Sequence, residues 1–162
     1  AEWREEQTLA YLIDFLARDG KVDFRVHYQD AASTPPFGFP PPLGEDSGHR
    51  TDVALLCLPG FDEVEGYPEG IVTLLMPRFV VGVHWEDFFS ILPEDPKDLR
   101  VVPTLRADQF ISRLQAVLPH DGTFTLPAPT AWMRFPPAQL APDGGATTLR
   151  SRAFHGLRHA SN

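Results

Sequence analysis

The sequence predicts an α/β (α+β) domain, and three observations carry that reading. Two short apolar runs, DVALLCLPG (52–60) and RFVVGVHW (78–85), have the length and composition of strands covered on both faces. An alternating arm, VDFRVHYQ (22–29), precedes them. The segment ADQFISRLQAVLP (107–119) carries the periodicity of an amphipathic helix. Strand, loop, strand, helix, strand is the order of a sheet with helices packed on it.

The first segment, TLAYLIDFLARDGKVDFRVHYQD (8–30), is two apolar stretches around Asp19-Gly20. Leu9, Leu12, Ile13 and Leu16 also fit a helix face, but Asp-Gly suits a type I′ hairpin turn, which needs positive φ at both central positions. The second arm places Val22, Phe24, Val26 and Tyr28 on one face, and Asp23, Arg25, His27 and Gln29 on the other, polar one. A β-hairpin follows. AASTPPFGFPPPLGEDSGHRT (31–51) is a long loop, of the kind that is usually functional or unstructured. After the strand at 52–60, FDEVEGYPEG leads into a short helix over IVTLLMP, ended by Pro77. EDFFSIL (86–92) is a loop or a single helical turn. In the helix at 107–119, Phe110, Ile111, Leu114, Val117 and Leu118 form the apolar face and Pro119 stops it. TFTLP (123–127) and AWMRF (131–135) read as short final strands. Residues 136–162 are rich in Pro, Gly, Ala and Arg and lack periodicity, as expected of a poorly ordered tail after a domain at 1–135.

Composition excludes several classes. The chain has 162 residues, enough for one domain with a real core, and 43% hydrophobic residues. Proline occurs 17 times, which favours chain reversals over long helices. A net charge of −8 argues against nucleic-acid or anionic-membrane partners, which need a clustered basic face. The single cysteine, Cys57, excludes an internal disulfide, and its apolar run reads it as a small buried hydrophobe rather than a nucleophile. No run approaches a membrane span and no signal segment is present, so the expected location is cytoplasmic. The chain opens AEWREE without methionine, as a processed start or a piece of something longer would.

Two residues stand where chemistry could be done. Asp30 ends the alternating arm and opens the proline loop; it serves either as a turn residue or as a carboxylate reaching a pocket. His84 ends RFVVGVHW, where a rigid strand can fix an imidazole whose tip reaches outward, or where the ring bonds at the core edge. Glu86 and Asp87 either orient that ring or are solvated charges. His27, His49, His120, His155 and His159 are weaker candidates. No G-x-S-x-G, no Cys–His pair at a strand end and no phosphate-cradling glycine loop is apparent.

FRVHYQDAAS (24–33), DVALLCLPGFDEVEGYPEG (52–70) and PRFVVGVHWEDFF (77–89) together resemble the C-terminal half of metallo-β-lactamase-fold hydrolases, across about residues 8–135. In that superfamily a strand-end Asp bridges two metal ions and a later strand-end His binds the second. The resemblance implies those roles for Asp30 and His84, as metal ligands and catalytic residues, with zinc as the expected metal. The superfamily's H-x-H-x-D-H motif is absent, and a carboxylate and one imidazole fall short of the three or four protein ligands of a zinc site. The resemblance further implies half of a four-layer αββα sandwich. Half a sandwich leaves an apolar sheet face open to water, at ~25 cal/mol per Å². The expected partner is therefore the missing N-terminal half or a second copy, and the expected substrate a small ester, amide or phosphoester, with loop 31–51 (Phe37, Phe39) walling the cleft. The rival expectation is a non-catalytic binding or assembly module of the same fold.

Overall fold

The computed structural model describes residues 9–34, 37–40, 49–91, 93–95 and 98–136. Residues 41–48 of the long loop, and the tail from 137 onward with His155 and His159, lie outside the described residues.

A single five-stranded sheet carries the fold, in the order β1 (Ala10–Leu16), β2 (Val22–Gln29), β3 (Val53–Cys57), β4 (Phe79–Val83), β5 (Thr123–Thr125). β1 and β2 form the expected antiparallel hairpin, Leu12 facing His27 and Ile13 facing Val26. Its turn differs from the expectation: only Gly20 takes positive φ (81°), and Gly20 N–H donates to Ala17 O at 3.0 Å. That is a type I turn followed by a left-handed glycine, accommodated by a register shift at Phe15/Leu16. From β2 onward every pairing is parallel: β2 with β3, β3 with β4, β4 with β5.

Two helices make the crossovers, α1 (Glu69–Leu75) between β3 and β4 and α2 (Ala107–Val117) between β4 and β5. Both connections step in the same direction along the sheet. Right-handed crossovers that keep stepping one way put their helices on one face. The core agrees: Ile71, Val72 and Leu75 of α1 and Phe110 and Leu114 of α2 bury against Ala54, Leu56, Leu58 and Val80. Phe110 meets Phe61 edge-on at 5.3 Å between centroids, and Arg113 Nη2 donates to Glu69 Oε2 (2.6 Å) and Tyr67 O (2.6 Å), tying α2 to α1. The Arg113 hydrogen bond holds the Glu69 carboxyl below its ordinary range. Gly82 is required on this face: a Cβ there would sit 2.4 Å from Leu126 Cδ2 and 2.7 Å from Leu58 Cδ1.

The faces of β2 are used the opposite way round from what polarity suggests. Its polar row, Arg25, His27 and Gln29, is buried, and its apolar row, Phe24, Val26 and Tyr28, is only half-buried. Arg25 tolerates burial because Nε and Nη2 fork onto Asp14 of β1 (2.6 and 2.8 Å) and Nη1 donates to His49 O. Across the hairpin, the same apolar face continues into Tyr11 (49% exposed), Ile13 (44%) and Phe15 (56%). Its centre is closed at Val53 and Val81, and Phe135 lies against Phe79 at 5.2 Å between centroids. Residues 131–136 are thus not the expected strand, because they cross this face as irregular chain instead of extending the sheet. Phe39 also departs from expectation, packing against the core beside Gly70 rather than walling a cleft, while Phe37 is exposed.

The described chain is therefore a mixed α/β unit, one sheet with its helices on one side. Among the described residues no helix is long and apolar enough to cross a membrane.

Candidate functional site

Parallel strands end together, so whatever follows β2, β3 and β4 gathers at one edge. Ligands of open α/β sheets bind outside this carboxyl edge. Asp30 follows β2, Cys57 closes β3, and His84 follows β4. Register fixes the neighbours: Gln29 pairs with Leu56, and Cys57 with Val83.

Cys57 is 4% exposed, and its strand end is held from two sides. Tyr67 Oη donates to Cys57 O (2.7 Å), and Leu58 N–H donates to Val83 O (3.1 Å). Burial pushes the thiol up to about 11, opposed by the Ala32 backbone N–H and reinforced by the Asp30 carboxylate. At rest the sulfur is therefore a neutral thiol.

His84 takes a left-handed backbone (φ 59°), which histidine tolerates better than most residues. The next residue, Trp85, is buried and donates from Nε1 to Pro127 O (3.0 Å), anchoring the turn that presents the imidazole. His84 Nδ1 lies 3.6 Å from Cys57 Sγ. This corrects the sequence reading: a Cys–His pair does stand at the strand ends. Both residues close runs of the same kind, VALLC before Leu-Pro-Gly and FVVGVH before Trp, and that shared phase was the available signal. The apolar character of the run around Cys57 hid it.

Asp30 Oδ1 is buried without a hydrogen-bond partner. A carboxylate oxygen so placed is costly to leave unpaired. Its charge also helps raise the Tyr28 hydroxyl, after burial. Glu86 and Asp87 do not orient His84. Glu86 bridges Val101, and Asp87 accepts from its own turn, Phe89 N–H at 3.1 Å and Ser90 Oγ at 2.7 Å.

The remaining histidines lie elsewhere. His49 Nε2 meets Asp52 Oδ2 at 2.6 Å near the opposite end of β3, and His120 is exposed. His27 is fully buried on the helix-covered face, both ring nitrogens without a partner, and burial lowers it to about 4, with Gln29 opposing.

Among the described residues no three His, Cys, Asp or Glu side chains converge closely enough to hold a metal ion. A depression of about 570 Å³ is lined by Asp87, Ser90, Ile91, Pro93, Asp98, Leu99 and Arg100, with none of the three donors among them. Comparison with protein-family models, with curated proteins and with solved structures gives no match for this chain.

Proposed function

We propose that this chain is one half of a metal-dependent, zinc-using hydrolase of the metallo-β-lactamase type, acting on a small ester, amide or phosphoester. The observation that carries the reading is Asp30 and His84 at the ends of parallel strands β2 and β4, the carboxylate with a buried oxygen unpartnered. Zinc bound there would supply Lewis acidity and an acidified water at that edge. Asp30 would hold one side of the site and accept a proton or cation at Oδ1. His84, fixed by buried Trp85, would present its imidazole from the other side.

The donor set fits such a group only in part, since zinc takes three or four protein ligands. The missing ligands would come from a second layer laid over the apolar face of Tyr11, Ile13, Phe15, Phe24, Val26 and Tyr28, giving the four-layer αββα sandwich. That layer is a missing N-terminal half in this reading; a second copy of the chain is the other outcome.

Zinc binding to the chain assembled with that second layer, followed with hydrolysis of chromogenic esters, amides and phosphodiesters, tests the reading. Zinc binding weakened by Asp30→Ala and by His84→Ala, with zinc-dependent turnover, is expected. Zinc binding indifferent to both substitutions would overturn it. Zinc bound at these residues without turnover would favour a non-catalytic binding module, the reading that the incomplete donor set supports.

A further inference from the structure

We infer that the chain dimerises through β1, two copies pairing these edge strands antiparallel about a two-fold axis at Ile13 into one continuous sheet. Nothing in this rests on the hydrolase reading: a layer over the open face and a second copy along the edge lie on different sides of β1.

β1 lacks the devices that keep sheet edges apart. Among the described residues it pairs with β2 alone, so no strand meets its outer row of backbone N–H and C=O groups. Such an edge is a template for another chain unless it is short, bulged, or carries lysine or proline. At the other edge, β5 is blunted by its length of three residues. β1 runs for seven, Ala10–Leu16, with neither Lys nor Pro, and its register shift comes only at the end, at Phe15/Leu16. Its one charge, Asp14, is neutralised by the Arg25 fork (2.6 and 2.8 Å), which draws the carboxylate toward β2 and away from the edge.

The strand's own symmetry selects a second copy as the partner. A two-fold axis perpendicular to the sheet keeps each face on its own side, so it passes through a residue rather than between two. Through Ile13, all seven residues pair: Ile13 meets itself, Tyr11 meets Phe15 of the second copy, and Leu12 meets Asp14. Through Asp14, two carboxylates would stand opposite each other, which is unfavourable. Tyr11 against Phe15 is a favoured aromatic cross-strand pair, and it extends contacts present in each copy, Tyr11 on Tyr28 (6.4 Å) and Phe15 on Phe24 (6.3 Å). Leu9, Tyr11, Ile13, Phe15 and Leu16 are 44–62% exposed. At roughly 200 Å² for a large side chain, this leaves on the order of 500 Å² of apolar surface per copy. Two copies bring about 1,000 Å², the lower bound of a specific interface, so the dimer forms reversibly with concentration.

Sedimentation equilibrium and residue-resolved amide exchange of the full chain test the pairing. In an unpaired edge strand alternate amides point outward and exchange freely, while those bonded to the neighbouring strand are protected. The expected result is a monomer–dimer equilibrium in which the outward amides between Tyr11 and Phe15 gain protection as concentration rises. Ile13→Lys should weaken the dimer by at least roughly tenfold, since it sets two like charges opposite each other. On oxidation, Ile13→Cys should give a disulfide-linked dimer, because directly opposite Cβ atoms lie about 4.5–5.5 Å apart. Tyr11→Cys should not, because the two copies of that position stand about 14 Å apart along the strands; the native Cys57 is buried in both variants. A chain that stays monomeric, or that assembles past a dimer, would overturn the inference. So would a dimer whose outward β1 amides remain unprotected, the mark of copies stacked on the open face, or one that Tyr11→Cys crosslinks as well as Ile13→Cys does. None of these outcomes touches zinc binding at Asp30 and His84, so the hydrolase reading stands or falls separately.

Discussion

Mild acidification should destabilise this fold through one buried residue. His27 is 0% exposed, between Leu12 of β1 and Ala54 of β3 and under the helices, with both ring nitrogens unpartnered. Burial lowers it from the ordinary 6.5 to about 4. A lowered folded value means the unfolded chain binds the proton more tightly. Stability is then complete above 6.5 and is lost as pH falls toward 4. The full difference corresponds to about 3.4 kcal/mol at ~1.36 kcal/mol per tenfold. By pH 5.5 about 1.4 kcal/mol of it is gone. The other titratable groups are common to both proteins and cancel when a variant is compared with the wild type. His27→Leu removes the titrating ring and keeps its volume roughly filled. Urea unfolding at pH 7.5 and 5.5 should show the wild type losing about 1.4 kcal/mol more than His27→Leu, with the variant at least as stable at pH 7.5 because the two unpaired ring nitrogens are gone. Parallel losses in the two proteins would refute the account of a ring held neutral by burial.

Two further outcomes follow from the packing. Phe110→Ala should cost about 3–5 kcal/mol by thermal or urea unfolding, since the ring is fully buried among Phe61, Tyr67 and Phe124; a cost under 1 kcal/mol would mean α2 is not docked as described. Ile13→Lys should shift the isolated chain from self-associated toward monomeric in sedimentation velocity with little change in unfolding free energy, and an unchanged profile would show that the open face is not what associates.

Period and punctuation located most of the elements. Asp19-Gly20 between two apolar arms gave away the hairpin, and apolar runs closed by Pro-Gly or Trp marked β3 and β4. Alternation could not reveal which face of β2 is covered. It separates Phe24, Val26 and Tyr28 from Arg25, His27 and Gln29, but the covering is decided by crossover direction, a property of the whole sheet. The Asp14 fork on Arg25 was invisible for the same reason: it depends on hairpin register, set by a left-handed glycine rather than the expected I′ turn. AWMRF has strand composition, yet Phe135 packs on Phe79 and the segment forms no strand. At the edge, only the placement of Asp30 and His84 after their strands was legible. Cys57 was not, because a cysteine in VALLC looks like its apolar neighbours until the register places it opposite Val83.

The open face and the donor edge belong to the same side of the sheet, and this ties association to chemistry. Side chains two apart along a strand share a face. Tyr28 therefore leads to Asp30, and Leu55 to Cys57, both on the side away from α1 and α2. The influence of the Asp30 charge on both the Tyr28 hydroxyl and the Cys57 sulfur fits that placement. A layer that covers Tyr11, Ile13 and Phe15 would run on toward the ends of β2 and β3, excluding water where the donors stand. Excluding water strengthens a charge-bearing site and raises the cost of leaving it empty. On the proposed reading, covering the face and filling the edge would favour each other, and the coupling would be reciprocal: metal would tighten association by the same factor by which association tightens metal.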